Sequence, residues 1–273
     1  MSGANPISMI TGLRHQFVLG LKGILYARSG EPYQIDGHTL RYVTGSRPIR
    51  SRYLHSPNRV NRFDALQVEW FRAHLKEGHF AIDIGAHHGT YSVLMAATCG
   101  QTGHVVAFEP DSYARRVLAR NIDLNPTIKQ PVVESCACFD TIGEITLFSG
   151  RGNALSSLAR SAVESSLPNK PEEIQVPVVT IDSYLVEHNL PEPRCVKIDA
   201  EGAEIRVLKG ATKILASSAC ILCELHPYAW PEFGNTFAEL RDLVATYGRK
   251  LRYLDEETEI GESAIYGVVI LER

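Results

Sequence analysis

Long apolar runs are missing from this chain of 273 residues. The nearest approach, Phe17 to Tyr26, is broken by Lys22 and two glycines and falls short of the ~18 apolar residues that cross a bilayer. No membrane span is expected, and the first residues lack the ordered charged, apolar and small-residue regions of a secretory leader. The expectation is a soluble, cytoplasmic protein. An excess of either charge is missing too: 28 Lys and Arg stand against 31 Asp and Glu, a formal net charge of −3. That excludes a globally basic nucleic-acid binder, though not a local basic patch. With 44% hydrophobic and 22% charged residues, disordered, collagen-like and disulfide-stapled classes are excluded as well.

The six cysteines, at 99, 136, 138, 195, 220 and 223, do not form a metal-binding pattern. Cys220 and Cys223 lie inside the apolar run Ala219 to Leu225, where strand alternation points them to opposite faces. Cys136 and Cys138 share a face but have no second ligand pair nearby. Reduced, buried thiols and no metal are expected.

Residues 1–62 read as an N-terminal extension, with two short strands around Asp36-Gly37 and arginines at 41, 47, 50, 52, 59 and 62. Residues 63–273 read as one domain. A helix capped by Asp64 precedes a strand at His79 to Ile84, a glycine turn, a helix from Thr90 to Cys99 and a strand at Val105 to Glu109. A helix reaching Asn125 and a third strand, Val132 to Phe139, follow. Gly143 to Phe148 alternates like an antiparallel strand, and Ser149 to Lys170 reads as a loop. A short strand at Val176 to Val179, a helix, a strand at Cys195 to Ile198, a helix over Ala203 to Leu215 and a strand at Ala219 to Leu225 resume the alternation. A helix at Thr236 to Tyr247 and two hairpin strands, Lys250 to Leu254 and Ala264 to Leu271, complete it. Alternation with short connections predicts an open, mostly parallel α/β sheet with a C-terminal antiparallel hairpin.

In such sheets ligands bind beyond the C-terminal strand ends. The turn there is Asp83-Ile84-Gly85-Ala86-His87-His88-Gly89-Thr90-Tyr91-Ser92. Small residues at Gly85, Ala86 and Gly89 permit close backbone approach, and the following helix start favours a carboxylate. The pattern G-x-G-x-x-G is absent, which makes a dinucleotide oxidoreductase the weakest reading. An acid before the turn repels a pyrophosphate but pairs with an ammonium. Glu109, before Pro110, can accept hydrogen bonds from both ribose hydroxyls. Amino acid plus ribose points to S-adenosylmethionine. The candidate donor-binding set is Asp83, Gly85, Ala86, His87, Gly89, Tyr91, Ser92, Glu109, Pro110, Cys136, Ala137 and Asp199.

Asp83-Ile84-Gly85-Ala86, Phe108-Glu109-Pro110, Asn121-Ile122-Asp123-Leu124-Asn125, Thr180-Ile181-Asp182, Lys197-Ile198-Asp199-Ala200-Glu201-Gly202-Ala203-Glu204 and Leu208-Lys209-Gly210-Ala211 occur in sequence. In order and spacing, over residues 66 to 227, they resemble the FkbM-type methyltransferase family. The resemblance implies a class I methyltransferase (Rossmann-like) doubly wound sheet, S-adenosylmethionine as donor, and O-methylation of a hydroxyl on a sugar, glycan or other small molecule. His87-His88 departs from the family, which usually has Asn and an aliphatic residue there.

Methyl transfer requires an acceptor oxygen held in line and relieved of its proton. Asp199 and His226 are the candidate bases, with Lys197 and Glu201 organising the acceptor site. Glu224 borders the same crevice. Glu204 and Arg206 read as the polar first turn of a helix. The loop bearing Arg151, Asn153, Ser156 and Ser157 is a candidate lid, and the arginine-rich stretch, with Arg50 and Arg52, a candidate site for an anionic acceptor. RNA or protein methylation on the same core, or a non-catalytic donor-binding module, are the alternatives.

Overall fold

The computed structural model describes residues 25, 27–46, 59–150, 156–164, 170–255 and 257–273. Arg47, Arg50, Arg52, Arg151 and Asn153, singled out above, lie outside the described residues. Glu31–Ile35 (β1) and His38–Tyr42 (β2) pair antiparallel about Asp36-Gly37, whose φ values of 47° and 78° are the paired positive angles that such a hairpin turn requires. Helix Arg59–His74 (α1) leads into alternating elements: Phe80–Ile84 (β3), Thr90–Cys99 (α2), His104–Phe108 (β4), Ser112–Asp123 (α3) and Val132–Glu134 (β5). An excursion follows, through Ala137–Cys138 (β6), Gly143–Ser149 (β7), Ser156–Ser157 (β8), Arg160–Glu164 (α4) and Glu172–Val179 (β9). Alternation resumes with Ile181–Glu187 (α5), Cys195–Ile198 (β10), Glu204–Lys209 (α6), Thr212–Ala216 (α7) and Cys220–Leu225 (β11). A 3-10 turn at Trp230–Phe233, helix Phe237–Thr246 (α8), and strands Lys250–Tyr253 (β12) and Gly267–Glu272 (β13) complete the order.

The central sheet runs β12-β13-β11-β10-β3-β4-β5. Its strands from β11 to β5 are parallel, and β13 lies antiparallel to both β11 and β12. Strands β3 and β10 are buried at every residue, as expected of a parallel sheet covered on both faces. Alternation sorts the core. Ile82, Val106, Val196 and Ile221 pack against Ile205, Leu208, Ile214 and Leu240 on one face. On the other, Ala81, Val105 and Leu222 meet Trp70, Phe71, Leu75 and Met95. The chain moves outward from β3 through β4 to β5 and then returns to β10 on the opposite side. The crevice of an open α/β sheet forms at that reversal, beyond the ends of β3 and β10.

Five expectations are corrected. The third strand is two, because Ser135 and Cys136 carry the chain out of the central sheet so that β6 can pair with β9 in a second sheet of order β6-β9-β7-β8. Strand β9 is eight residues long, its added half paired with β7. The segment after Ser149 contains β8 and α4 as well as loop. The helix expected over Ala203 to Leu215 breaks at Gly210, where a Cβ would stand 2.0 Å from the Phe139 carbonyl oxygen. Asp64, for its part, sits inside α1 rather than capping it, and its carboxylate accepts from the Tyr91 hydroxyl at 3.2 Å.

The hairpin β1–β2 is joined to the sheet through buried polar contacts. Tyr42, fully buried, donates to the Thr90 carbonyl. Asn121 Oδ1 accepts from Val43 N at 2.7 Å, and its Nδ2 donates to His88 O at 2.7 Å. Asn125 accepts from Arg41 N and donates to Arg41 O. Among the described residues no helix is long and apolar enough to cross a membrane. Each buried backbone group left unpaired costs roughly 1–3 kcal/mol. Asn121→Ala strands two, so a stability loss of about 2–6 kcal/mol is expected in denaturant titration; an unchanged midpoint would refute the clamp.

Candidate functional site

The turn after β3 is built for close approach. Gly85, at φ 76°, has no room for a side chain, since a Cβ would lie 1.7 Å from the Asp199 carbonyl oxygen. Its N–H and that of Ala86 both donate to Phe108 O at 3.0 Å. Gly89, at φ 75°, presses on Leu118 and begins α2 without a side-chain cap. Asp83 is buried beneath the turn. Its Oδ2 accepts from Ser92 Oγ at 2.5 Å, its Oδ1 has no hydrogen-bond partner, and burial raises its pKa.

Glu109 is also buried. Its two oxygens accept from His87 N at 2.7 Å and Asp111 N at 2.8 Å, so it ties the glycine turn to the loop after β4. Burial pushes its pKa up to about 7 against those two amides. Pro110 continues that loop, and Asp111 caps α3 through Tyr113 N and Ala114 N. The rings of His87 and His88 stack at 3.8 Å, and burial pushes the His88 imidazole down to about 4. Cys136 and Ala137 are buried in packing, the first with Phe108 and Tyr184 and the second with Leu147 and Val176.

A charged cluster occupies the neighbouring strand ends. Lys197, 2% exposed, donates from Nζ to Asp199 Oδ2 at 3.0 Å and stands over the Tyr91 ring at 4.9 Å. Burial opposes its charge, but Asp199, Asp83 and Glu224 outweigh burial and hold the ammonium above its ordinary value. Burial raises Asp199 while Lys197 and His226 lower it, and the net direction is down. Glu201, at φ 47° in the tight loop after β10, is pushed up to about 8 by burial and by Asp199, against His226. Burial and Asp199 raise Glu224 to about 7.

His226 joins these groups. Its Nε2 lies 3.3 Å from Glu201 Oε2 and 3.9 Å from both Asp199 Oδ1 and Glu224 Oε1. Burial lowers its pKa, but the hydrogen bond and charge of Glu204, then Glu201 and Asp199, carry it up to about 10. The side chains of Asp199 and Glu201 remain 24% and 28% exposed, so the cluster opens to solvent on the crevice side.

Glu204 is not the polar first turn expected of it. It is wholly buried, and its oxygens accept from Gly202 N at 2.7 Å, His226 Nδ1 at 2.9 Å and Trp230 Nε1 at 2.7 Å. A carboxylate on Nδ1 fixes the ring and leaves Nε2 facing the crevice. Arg206 instead pairs with Asp140 at 3.0 Å, over the Phe139 ring. Tyr266, which donates to Glu224 Oε1 at 2.5 Å, and Tyr228, 3.5 Å from Glu201 Oε2, were also missed. The available signal for Glu204 was its place in Lys-Ile-Asp-x-Glu-Gly-Ala-Glu. Tyr266 had none, since only the antiparallel register of β13 with β11 brings it in.

The serine element spans the crevice. Ser156 Oγ donates to Asp111 Oδ2 at 2.7 Å, and Ser157 Oγ to the Glu201 carbonyl at 2.6 Å. It therefore touches both the loop after β4 and the acidic loop after β10.

The chain is similar to known proteins over part of its length. The hexuronic acid methyltransferase AglP of Haloferax volcanii is 28% identical over 144 residues, 53% of this chain and 54% of the relative. The methyltransferase sdnD of Sordaria araneosa is 25% identical over 162 residues, 50% of this chain and 62% of the relative. The chain thus spans less than two thirds of either. A solved structure of methyltransferase FkbM from Methylobacillus flagellatus superposes with a TM-score of 0.46 at 13% identity, covering 82% of this chain and 56% of that one. Residues 83–253, from the acid before the glycine turn to the end of β12, match the Methyltransferase FkbM domain, and the chain belongs to that family.

Proposed function

We propose that this protein is an S-adenosylmethionine-dependent O-methyltransferase acting on a hydroxyl of a sugar or other small molecule. The observation that carries the reading is the contact of Gly85 with the Asp199 carbonyl, which sets a ligand-accepting turn and an acid–imidazole cluster on one crevice. The donor fits the first half. Gly85 forms a cradle that any side chain would fill, and Asp83 offers a buried oxygen with no hydrogen-bond partner, suited to an ammonium. Ala86, His87, Gly89, Tyr91 and Ser92 line or brace the turn, and Glu109 with Pro110 borders the ribose position. Cys136 and Ala137 close the apolar side. The name of the Haloferax relative favours a sugar-type acceptor.

The bound donor supplies a methyl group on a sulfonium. With the donor bound, its S–CH3 bond would break as the acceptor oxygen forms O–CH3, and the hydroxyl proton would pass into the cluster around Asp199 and His226. Lys197 holds Asp199 in place, Glu201 orients the acceptor, and Ser156-Ser157 forms the rim of a lid. Holding the reactants in line and accepting the proton are the chain's contributions. Residues 63–273 form the transferase domain in this reading and residues 1–62 an extension, of which the β1–β2 hairpin packs on that domain, and the reaction is cytoplasmic.

Two outcomes test the reading. Gly85→Ala should abolish S-adenosylmethionine binding in calorimetry and, because it forces the strand ends apart, lower the melting temperature, while circular dichroism still shows the α/β content of a folded chain. His226→Ala should keep donor affinity within a few-fold and slow methyl transfer about 10²–10⁴-fold. Wild-type protein that shows neither donor binding nor transfer to any of a panel of sugar acids would sink the proposal.

A further inference from the structure

We propose that the crevice holds a divalent cation, ligated by Asp199 Oδ1, Glu201 Oε2 and His226 Nε2. These atoms all lie within 4.8 Å of one another. Two of the separations, 3.3 Å and 3.9 Å, fit an ion with bonds of about 2.1 Å, whose adjacent ligands stand about 3 Å apart and opposite ligands about 4 Å apart.

Proximity of acids alone does not make a site, and the internal bonding supplies the independent argument. The His226 side chain is 3% exposed, its Nδ1 is engaged by Glu204, and its Nε2 points at the carboxylate oxygens. Asp199 Oδ2 is taken by Lys197, whereas Oδ1 is buried without a hydrogen-bond partner. Asp199 Oδ1 and His226 Nε2, the atoms their other contacts leave over, converge with Glu201 Oε2, whose other contact is the Tyr228 hydroxyl at 3.5 Å. A ligating imidazole whose other nitrogen donates to a buried carboxylate is the outer shell that metal sites use to fix the ring. Four carboxylates, Asp199, Glu201, Glu204 and Glu224, surround Lys197 and His226; a ligating His226 gives up its Nε2 proton, and the divalent ion that replaces that proton leaves the cluster one positive charge closer to balance.

One imidazole nitrogen and two carboxylate oxygens suit Mn²⁺ or a similar first-row ion. Three protein ligands leave positions open for two neighbouring oxygens of the acceptor, as in a vicinal diol or a hydroxy acid. A bound cation lowers the pKa of a coordinated hydroxyl. The inference rests on the methyl-transfer reading and makes Asp199 and His226 ligands, with Glu224, 3.9 Å from Nε2, placed to receive the proton.

The test is titration of the full-length, chelator-treated protein with Mn²⁺, followed by the paramagnetic resonance of the free ion. One ion per chain is expected. Binding should weaken at least about tenfold in Glu201→Gln and His226→Ala, and about 10–100-fold in Glu204→Gln, which removes only the outer-shell charge. Calorimetry with S-adenosylmethionine confirms that each variant is folded. Absence of Mn²⁺ binding in the wild type, or binding unchanged in Glu201→Gln, overturns the site. Full methyl transfer by the metal-stripped enzyme overturns its role and leaves the transferase reading intact. Loss of that reading shows separately, as absent donor binding.

Discussion

Everything in the crevice depends on how closely Gly85 approaches the carbonyl of Asp199. Parallel pairing sets Ile198 beside Ile84, so the chain leaving β3 and the chain leaving β10 emerge side by side. The Asp199 N–H continues the ladder by donating to Ile84 O at 3.0 Å. A side chain at 85 would push the two strand ends apart, and with them the glycine turn and the charged cluster. The constraint is steric, made at the backbone, and independent of any ligand. It converts a strand-order reversal into a crevice with the glycine turn on one side and the charged cluster on the other.

A cluster this charged is costly to bury, several kcal/mol per ion without compensation. The compensation is specific. Lys197 is held by Asp199 and lies over Tyr91, His226 by Glu204, Glu224 by Tyr266, and Glu204 by three donors. Removing one partner leaves another charge stranded, so the groups are interdependent. Glu204 is the member that touches no solvent. Its work is orientation, because it determines which nitrogen of His226 is left for the crevice.

Much of this was legible in the sequence. Alternating apolar strands and amphipathic helices showed the parallel sheet, and acids at strand ends showed Asp199, Glu201 and Glu224, because a carboxylate in those positions lacks a reason to be buried without a partner. What stayed hidden required long-range placement. Glu204 reads as an ordinary helix-start acid until Trp230 and His226, 26 and 22 residues away, are seen to converge on it. The break at Gly210 reflects Phe139 pressing on the helix from the second sheet, which no local pattern records. The split of the third strand likewise follows from competition between two sheets for one segment.

The same logic explains how the turn accommodates His87-His88. Its links to the rest of the fold run through backbone atoms: His87 N donates to Glu109, and His88 O accepts from Asn121. The bonds themselves use no side-chain atoms of either residue, His87 holds a φ of 50° that Asn and His enter more readily than β-branched residues, and the two rings stack on each other. Asn121 also receives Val43 N, so the segment beside the hairpin and the glycine turn share one side chain. Displacing the hairpin therefore pulls on the turn through Asn121, and the N-terminal strands become part of what holds the glycine turn in register with Asp199.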